Sequence, residues 1–312
     1  MADVVVTEFL DPEPLADLKA ITSVHVDSGL WNKVAELEGL LATARAIIVR
    51  NRTQVTAALV AKAPKLEVVG RLGVGLDNID LKACAARNIT VCPAIGANAV
   101  SVAEYVIGSA LILARGAAYF GSQSLVDGRW PREAAGNGWE IAGKRLGIIG
   151  YGNIGQTVAE RARAMGMSIV AFDDYVPASS PAWAETTRVS LDDLLRTSDV
   201  VSLHCPLTPE TRHIIDAARL ATMKKGALLI NAARGGVVDE AALAAALKNG
   251  HLGGAAVDVF DIEPIDAKSG AAFAGVPNVI LTPHVAGVTR ESNARISSVT
   301  VENVMRVLKA RP

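Results

Sequence analysis

The chain has 312 residues, half of them apolar and 4% aromatic, with a formal net charge of −1. That length suits two domains better than one core, and a near-neutral chain without a basic run offers no electrostatic footprint to nucleic acid or an anionic membrane. Its core has to come from Ala, Val, Leu and Ile, a supply that suits parallel sheets covered by helices. Cys84, Cys92 and Cys205 lack metal-ligand spacing and their odd number argues against a disulfide framework, so no metal site is expected. The opening MADVVVTEFLDPEP is acidic and lacks the basic start of a signal peptide. The longest apolar stretch, 102–114, is interrupted by Glu104 and is too short to span a bilayer. A soluble, cytoplasmic protein is the expectation.

Short β-branched runs alternate with Ala/Leu-rich helical patterns along the whole chain. Strands are expected at 3–9, 22–27, 45–50, 66–70 and 89–92, with helices at 31–43, 54–63 and 77–87. A long helix over 98–119 follows, then a Gly/Trp-rich loop over 128–140. The alternation restarts at Lys144, with strands at 145–150, 168–173, 199–204, 227–231, 254–259 and 278–282. A last helix over about 290–309 is expected to pack back on the first domain. The fold class is therefore α/β, two doubly wound parallel-sheet domains: 1–97 plus 286–312, and 98–285.

The stretch RLGIIGYGNIGQTVAERARAMGMSIVAFDD reads as one βαβ unit. Gly150, Gly152 and Gly155 form G-x-G-x-x-G between a strand and a helix. The first glycine makes the turn, the second admits a pyrophosphate, and the third lets helix and strand pack closely. Asn153 and Ile154 complete the turn, and the helix N-terminus supplies free N–H groups and positive dipole. Asp173 stands 18 residues after Gly155, where an acid accepts hydrogen bonds from a ribose 2′-hydroxyl. An acid there, with Asp174 beside it, repels a 2′-phosphate. NAD is the expected cofactor.

Three further motifs put charged groups at expected C-terminal strand ends, where ligands bind in open α/β sheets. They are LLINAARGGVVDE with Arg234, AAVDVFDIEP with Glu263 and VILTPHVAG with His284. Each has an ordinary structural reading alone. Jointly they supply what hydride transfer to a 2-keto acid requires. Arg234 offers a planar fork for a carboxylate. His284 can exchange a proton with the keto or hydroxyl oxygen. Glu263 would fix its tautomer if it touches the other ring nitrogen.

With VVGRLGVGLDNID (69–80), NAVSVAEYVIG (98–108), LGIIGYGNIG (146–155) and LHCPLTPETR (203–212) added to these, the chain resembles the D-isomer-specific 2-hydroxyacid dehydrogenases, within them the phosphoglycerate dehydrogenase branch. The resemblance implies a flavodoxin-like substrate domain and a Rossmann NAD-binding domain, with Arg234, Glu263 and His284 catalytic. It implies substrate contacts from the Val74 and Gly75 amides and from Asn98. It puts His204, Cys205, Pro206, Ala232, Ala233, Asp258 and Gly287 on the cofactor, together with Arg234 and His284. Cys205 then reads as a small cofactor-side residue, not a nucleophile. The long helix is the family's usual dimer element, so a homodimer is implied.

Two departures bear on the substrate. The chain stops soon after its last helix, without the C-terminal regulatory domains of longer phosphoglycerate dehydrogenases, so feedback control by serine is not expected. Asn51 stands where that branch has serine, inside VRNRTQV. If this segment stays extended, Arg50 and Arg52 point to one side and can hold a second anion on the substrate. A phosphate, a sulfonate as in sulfolactate and a second carboxylate as in 2-hydroxyglutarate all qualify. D-type geometry carries the label S in sulfolactate, because sulfur outranks the carboxylate. The bland reading of the two arginines is a solvated strand end. Glyoxylate or hydroxypyruvate reduction is the nearest alternative activity. A corepressor that senses NAD through the same fold is the alternative of another class, since it keeps the same triad; formate dehydrogenases are disfavoured by Glu263.

Overall fold

A computed structural model describes residues 2–116, 119 and 121–310. It divides into two compact units, Met1–Asn98 with Val288–Pro312, and Ala99–Gly287.

The first unit contains β1 (Val4–Val6), α1 (Pro12–Ile21), β2 (Val24–Val26), α2 (Val34–Leu41), β3 (Ala46–Val49), α3 (Ala57–Ala61), β4 (Val68–Arg71), α4 (Leu81–Ala86) and β5 (Thr90–Pro93). The five strands are parallel in the order β2-β1-β3-β4-β5. This is the flavodoxin-like order, and its direction reverses between β1 and β3. The central strands are buried along their length, as expected where helices cover both faces. Helix α1 was not expected from the sequence. Its prolines fall in the first turn, where the missing N–H groups have no intrahelical acceptor to lose, and Asp11 caps the Glu13 amide.

The second unit contains α5 (Ala99–Arg115), α6 (Ser122–Val126), α7 (Arg132–Ala135), β6 (Arg145–Ile149), α8 (Asn153–Ala164), β7 (Ser168–Phe172), β8 (Thr187–Arg188), α9 (Leu191–Thr197), β9 (Val200–Leu203), α10 (Ala217–Thr222), β10 (Leu228–Asn231), α11 (Glu240–Lys248), β11 (Gly254–Val257) and β12 (Val279–Leu281). Residues 117 and 118 of the helix expected over 98–119 lie outside the described residues. The short α7 interrupts the loop expected at 128–140. The sheet runs β12-β11-β10-β9-β6-β7-β8, all parallel, which is the Rossmann order with one added strand. Strand β8 pairs only two residues on the β7 edge, too few to leave a periodic signal. Among the described residues no helix is long and apolar enough to cross a membrane.

Helix α12 (Arg290–Ala310) belongs to the first unit and lies against β4 and α1. The fit to β4 is set at Gly70, where a Cβ would stand 2.6 Å from Val304 Cγ2 and 2.9 Å from Thr300 Cγ2. No side chain fits there. Gly70→Ala should therefore cost about 1–3 kcal/mol in urea unfolding, the range for overpacking a core. Val304→Ala, made in the same chain, should recover part of that cost. Simple additivity of the two losses would show that β4 and α12 do not meet at Gly70.

Candidate active site

In the second unit the sheet reverses direction between β6 and β9, and the glycine loop sits at the carboxyl end of β6. Gly150 has φ 91°, and a Cβ there would stand 2.6 Å from the His204 carbonyl carbon. At Gly155 a Cβ would run into the Gly150 carbonyl oxygen. Both glycines are thus required by the fold alone. Gly152 is different: a Cβ there would meet nothing within 4 Å. It is the N-cap of α8 and supplies no side-chain hydrogen bond to the helix amides. An open cradle in front of uncapped amides is the shape a dinucleotide pyrophosphate fits. Asn153 is exposed and Ile154 half-buried beside it.

Asp173 follows β7, and its carboxylate already has work within the chain. Oδ2 accepts from the Tyr151 amide at 2.6 Å, and Oδ1 accepts from the Tyr175 and Val176 amides at 2.7 and 2.8 Å. The acid therefore holds the glycine turn. Lone pairs remain, since a carboxylate offers about four acceptor sites.

At the end of β9, His204 is half-buried; its Nε2 lies 2.8 Å from Ser202 Oγ and its buried Nδ1 has no partner among the described residues. Burial pushes this imidazole down to about 3, so it is neutral. Burial pushes the neighbouring Cys205 thiol up to about 11. Pro206 is exposed. A cysteine so far from its thiolate is no nucleophile.

The ends of β10, β11 and β12 bring Arg234, Glu263 and His284 into one neighbourhood. Asn231 ends β10 with 2% of its surface exposed. Its Oδ1 accepts from the Ala233 amide at 3.1 Å and its Nδ2 donates to the Arg234 carbonyl at 3.1 Å. This fixes the turn holding buried Ala233 between half-buried Ala232 and Arg234. Gly235 lies so close to the Phe260 carbonyl that a Cβ could not be accommodated, which locks that turn against the loop carrying Glu263. Glu263 Oε1 accepts from the Phe260 amide at 2.9 Å, and Oε2 is 2.7 Å from His284 Nδ1. Burial raises the Glu263 carboxyl, but the His284 and Phe260 hydrogen bonds and the charges of His284 and Arg234 outweigh it and hold it below its ordinary value. With Nδ1 engaged, His284 presents Nε2 to a ligand.

Asp258, 1% exposed, builds the backbone under that histidine. Its carboxylate accepts from Thr282 Oγ1 at 2.6 Å and from the Val285 and Ala286 amides at 2.8 Å each. Its carbonyl accepts the His284 amide at 2.8 Å. These bonds hold His284 at φ 56°, an uncommon conformation for a residue with a Cβ. Gly287 closes the unit. No sequence signal marks Asn231 and Asp258 as serving their loops this way, because both sit inside motifs that read as ligand contacts.

In the first unit, the strand expected over 45–50 stops one residue short, and the segment 50–52 does not stay extended, which was the condition for Arg50 and Arg52 to point to one side. Strand β3 ends at Val49, and residues 50–53 curl around the buried carboxylate of Glu8. Oε1 accepts the Arg50 and Thr53 amides at 2.9 and 3.0 Å and the Thr53 hydroxyl at 3.0 Å; Oε2 accepts the Asn51 and Arg52 amides at 3.3 and 3.1 Å. Period-two alternation therefore does not aim the arginines. Arg50 Nη2 donates to Asn293 Oδ1 on α12 at 2.8 Å, while the Arg52 guanidinium lies over the Trp31 ring, 5.0 Å from its centroid. Asn51 is exposed. Val74 and Gly75 are half-buried after β4, and among the described residues neither amide has an acceptor. Asn98 ends the unit with its Oδ1 buried and unpartnered among the described residues. Glu8 was missed because an acid after a short strand carries no motif.

Comparison with known proteins agrees with this chemistry. Residues 107–286 match the family model described as D-isomer specific 2-hydroxyacid dehydrogenase, NAD binding domain. The chain is 51% identical over 312 residues to the (S)-sulfolactate dehydrogenase of Chromohalobacter salexigens, covering 100% of both. It is 40% identical to the D-3-phosphoglycerate dehydrogenase of Methanocaldococcus jannaschii over 99% of this chain, but spans 58% of that longer protein. The crystal structure of the TT0316 protein from Thermus thermophilus superposes with a TM-score of 0.87 at 37% identity, covering 99% of this chain and 97% of that one.

Cys205 gives a check on the local environment. With its thiol at about 11 against an ordinary 9.0, alkylation at pH 8 should be about 100-fold slower than for a free thiol, rising about tenfold per pH unit. Mass spectrometry of the Cys205 peptide reads this directly. Rapid labelling at pH 8 would refute the dry environment assigned to it.

Proposed function

The chain belongs to the D-isomer-specific 2-hydroxyacid dehydrogenase family and is an NAD-dependent 2-hydroxyacid dehydrogenase, and we propose that its substrate carries a second anionic group, with (S)-sulfolactate first among the candidates. The observation that carries the proposal is the pair of anchored guanidiniums at 50 and 52, in a loop at the point where the first sheet reverses. A 2-hydroxy acid without a second anion has no use for them.

In the second unit, NAD bound at the glycine loop would accept hydride from the carbinol carbon. His284 Nε2 takes the hydroxyl proton, and the Glu263 carboxylate on Nδ1 stabilises the imidazolium that results. Arg234 binds the carboxylate next to the reacting carbon through its planar fork. In the first unit, the Val74 and Gly75 amides offer donors to a substrate carboxylate, Asn98 contacts substrate, and Arg50 and Arg52 take the distal sulfonate, phosphate or carboxylate. Asn51, bulkier than serine, suits a compact anion. Ala232, Ala233, His204, Cys205, Pro206, Asp258 and Gly287 form the wall beside the nicotinamide. Exposed Leu125, Val126 and Trp130 on and just after α6 support a homodimer.

His284→Ala should lower kcat by about 10²–10⁴-fold while NADH binding survives. Oxidation needs the neutral ring and reduction the charged one, so the oxidation optimum should lie at the higher pH. In Glu263→Gln the imidazolium loses its ionic partner, and the reduction profile should move to lower pH. An unmoved profile would mean that the Glu263 contact has no part in the proton transfer.

The substrate assignment is tested by comparing (S)-sulfolactate, 2-hydroxyglutarate and 3-phosphoglycerate with plain lactate. A charge-assisted contact is worth roughly 1.5–3 kcal/mol, so Arg50→Ala and Arg52→Ala should each lose about 10- to 150-fold in kcat/KM for the dianions only. Equal losses on lactate would remove the second-anion site. Preference for glyoxylate or hydroxypyruvate in the parent protein would favour the reductase reading instead.

A further inference from the structure

Loop 50–53 is held from both sides by side chains that belong to other segments. Four consecutive amides turn inward onto Glu8, together with the Thr53 hydroxyl. Thr53 Oγ1 is also 2.7 Å from Thr7 Oγ1, which fixes the hydroxyl beside the residue that precedes Glu8. The carbonyls turn the other way. Asn78 Nδ2 donates to the Arg50 carbonyl at 3.2 Å and to the Thr53 carbonyl at 2.7 Å. The Asn78 carbonyl accepts the Val55 amide at 2.8 Å, and the Asp80 amide donates to the Val55 carbonyl at 2.9 Å. Asn78 lies three residues beyond Gly75, so one residue joins the loop of the two arginines to the loop of the Val74 and Gly75 amides.

Successive N–H groups converging on one point form a concavity for an anion. Here the chain fills that concavity with its own carboxylate. The backbone at 50–53 is therefore taken, and recognition of an external anion falls to the side chains the curl displays. Arg50 is steadied by Asn293. The Arg52 guanidinium lies over the Trp31 ring, a cation–π contact that steadies it and uses none of its N–H donors. We propose that Glu8 and Asn78 are positioning residues for substrate selection: Glu8 shapes the loop that aims Arg50 and Arg52, and Asn78 sets the spacing between that loop and the Val74/Gly75 amides. The two anions of a substrate are thereby measured against each other. This rests on the second-anion reading given above.

Electrostatics alone argues for the opposite result, because a carboxylate near an anion site repels the anion. Five donors on the carboxylate offset that repulsion, and position decides. Glu8→Gln keeps the shape but sets an NH₂ against backbone N–H groups; Asn78→Ala removes both carbonyl contacts. In each, kcat/KM for (S)-sulfolactate should fall at least about tenfold, a charge-assisted contact's worth, through KM. Lactate turnover and NADH affinity, read by fluorescence, should stay within about twofold. In Asn78→Ala the selectivity between sulfolactate and the one-carbon-longer 2-hydroxyglutarate should move toward one. Glu8→Asp should recover part of the Glu8→Gln loss. Equal losses on lactate, or better sulfolactate turnover in Glu8→Gln, would overturn the proposal. Arg50→Ala run alongside separates the two readings: if it spares the dianions, the second-anion site itself fails. Hydrogen exchange on the unmutated protein covers variants that do not fold. Amides 50–53 should be protected without substrate and little changed by sulfolactate; rapid exchange that slows only on binding would overturn the pre-formed loop.

Discussion

Backbone amides just beyond the carboxyl end of a parallel strand have lost their ladder partner, and buried ones must find another. In this protein side-chain carboxylates and one carboxamide take them up. Glu8 holds 50–53, Asp173 holds the Tyr151 amide inside the glycine turn, Asn231 holds the turn of Arg234, and Asp258 holds the residues after His284. Each of these four loops is bound this way to an acid or amide side chain. The scaffold of each unit is apolar; the loops on it are positioned by hydrogen bonds.

The same arrangement sorts the ionisable groups. Glu8 and Glu263 accept several hydrogen bonds and stay ionised below the ordinary carboxylate range despite burial. Groups whose burial is not offset in this way go neutral: His204 falls to about 3 and Cys205 rises to about 11. Arg50 is also lowered by burial, with the Glu8 charge acting in the other direction. What remains for chemistry at neutral pH is a short set, a histidine backed by a carboxylate and a few arginines. Two acids that look available in the sequence, Asp173 and Asp258, are already committed to backbone.

The glycine motif shows how unequal three identical residues are. Gly150 and Gly155 are excluded from carrying a side chain by the chain's own atoms, whereas Gly152 faces open space. Only the middle position is free for an external group. Sequence spacing cannot make this distinction, because it treats all three positions as one pattern.

The order of strands and helices, the α/β class and the placement of charged residues at strand ends were legible in the sequence, since all of these follow from local periodicity and chain direction. So were the motifs that mark the family. Helix α1 escaped because its prolines occupy the one turn where they do no harm, and β8 because two residues make no pattern. That Arg50 and Arg52 do not lie along an extended strand emerged only from the folded chain. The residue responsible, Glu8, is 42 positions away from Arg50 and becomes its neighbour because β1 and β3 pair side by side. Glu263 likewise reaches His284 across 21 positions through two adjacent strands. Hydrogen bonds between segments distant in sequence depend on sheet order, and sheet order is a property of the packed core, not of any local stretch.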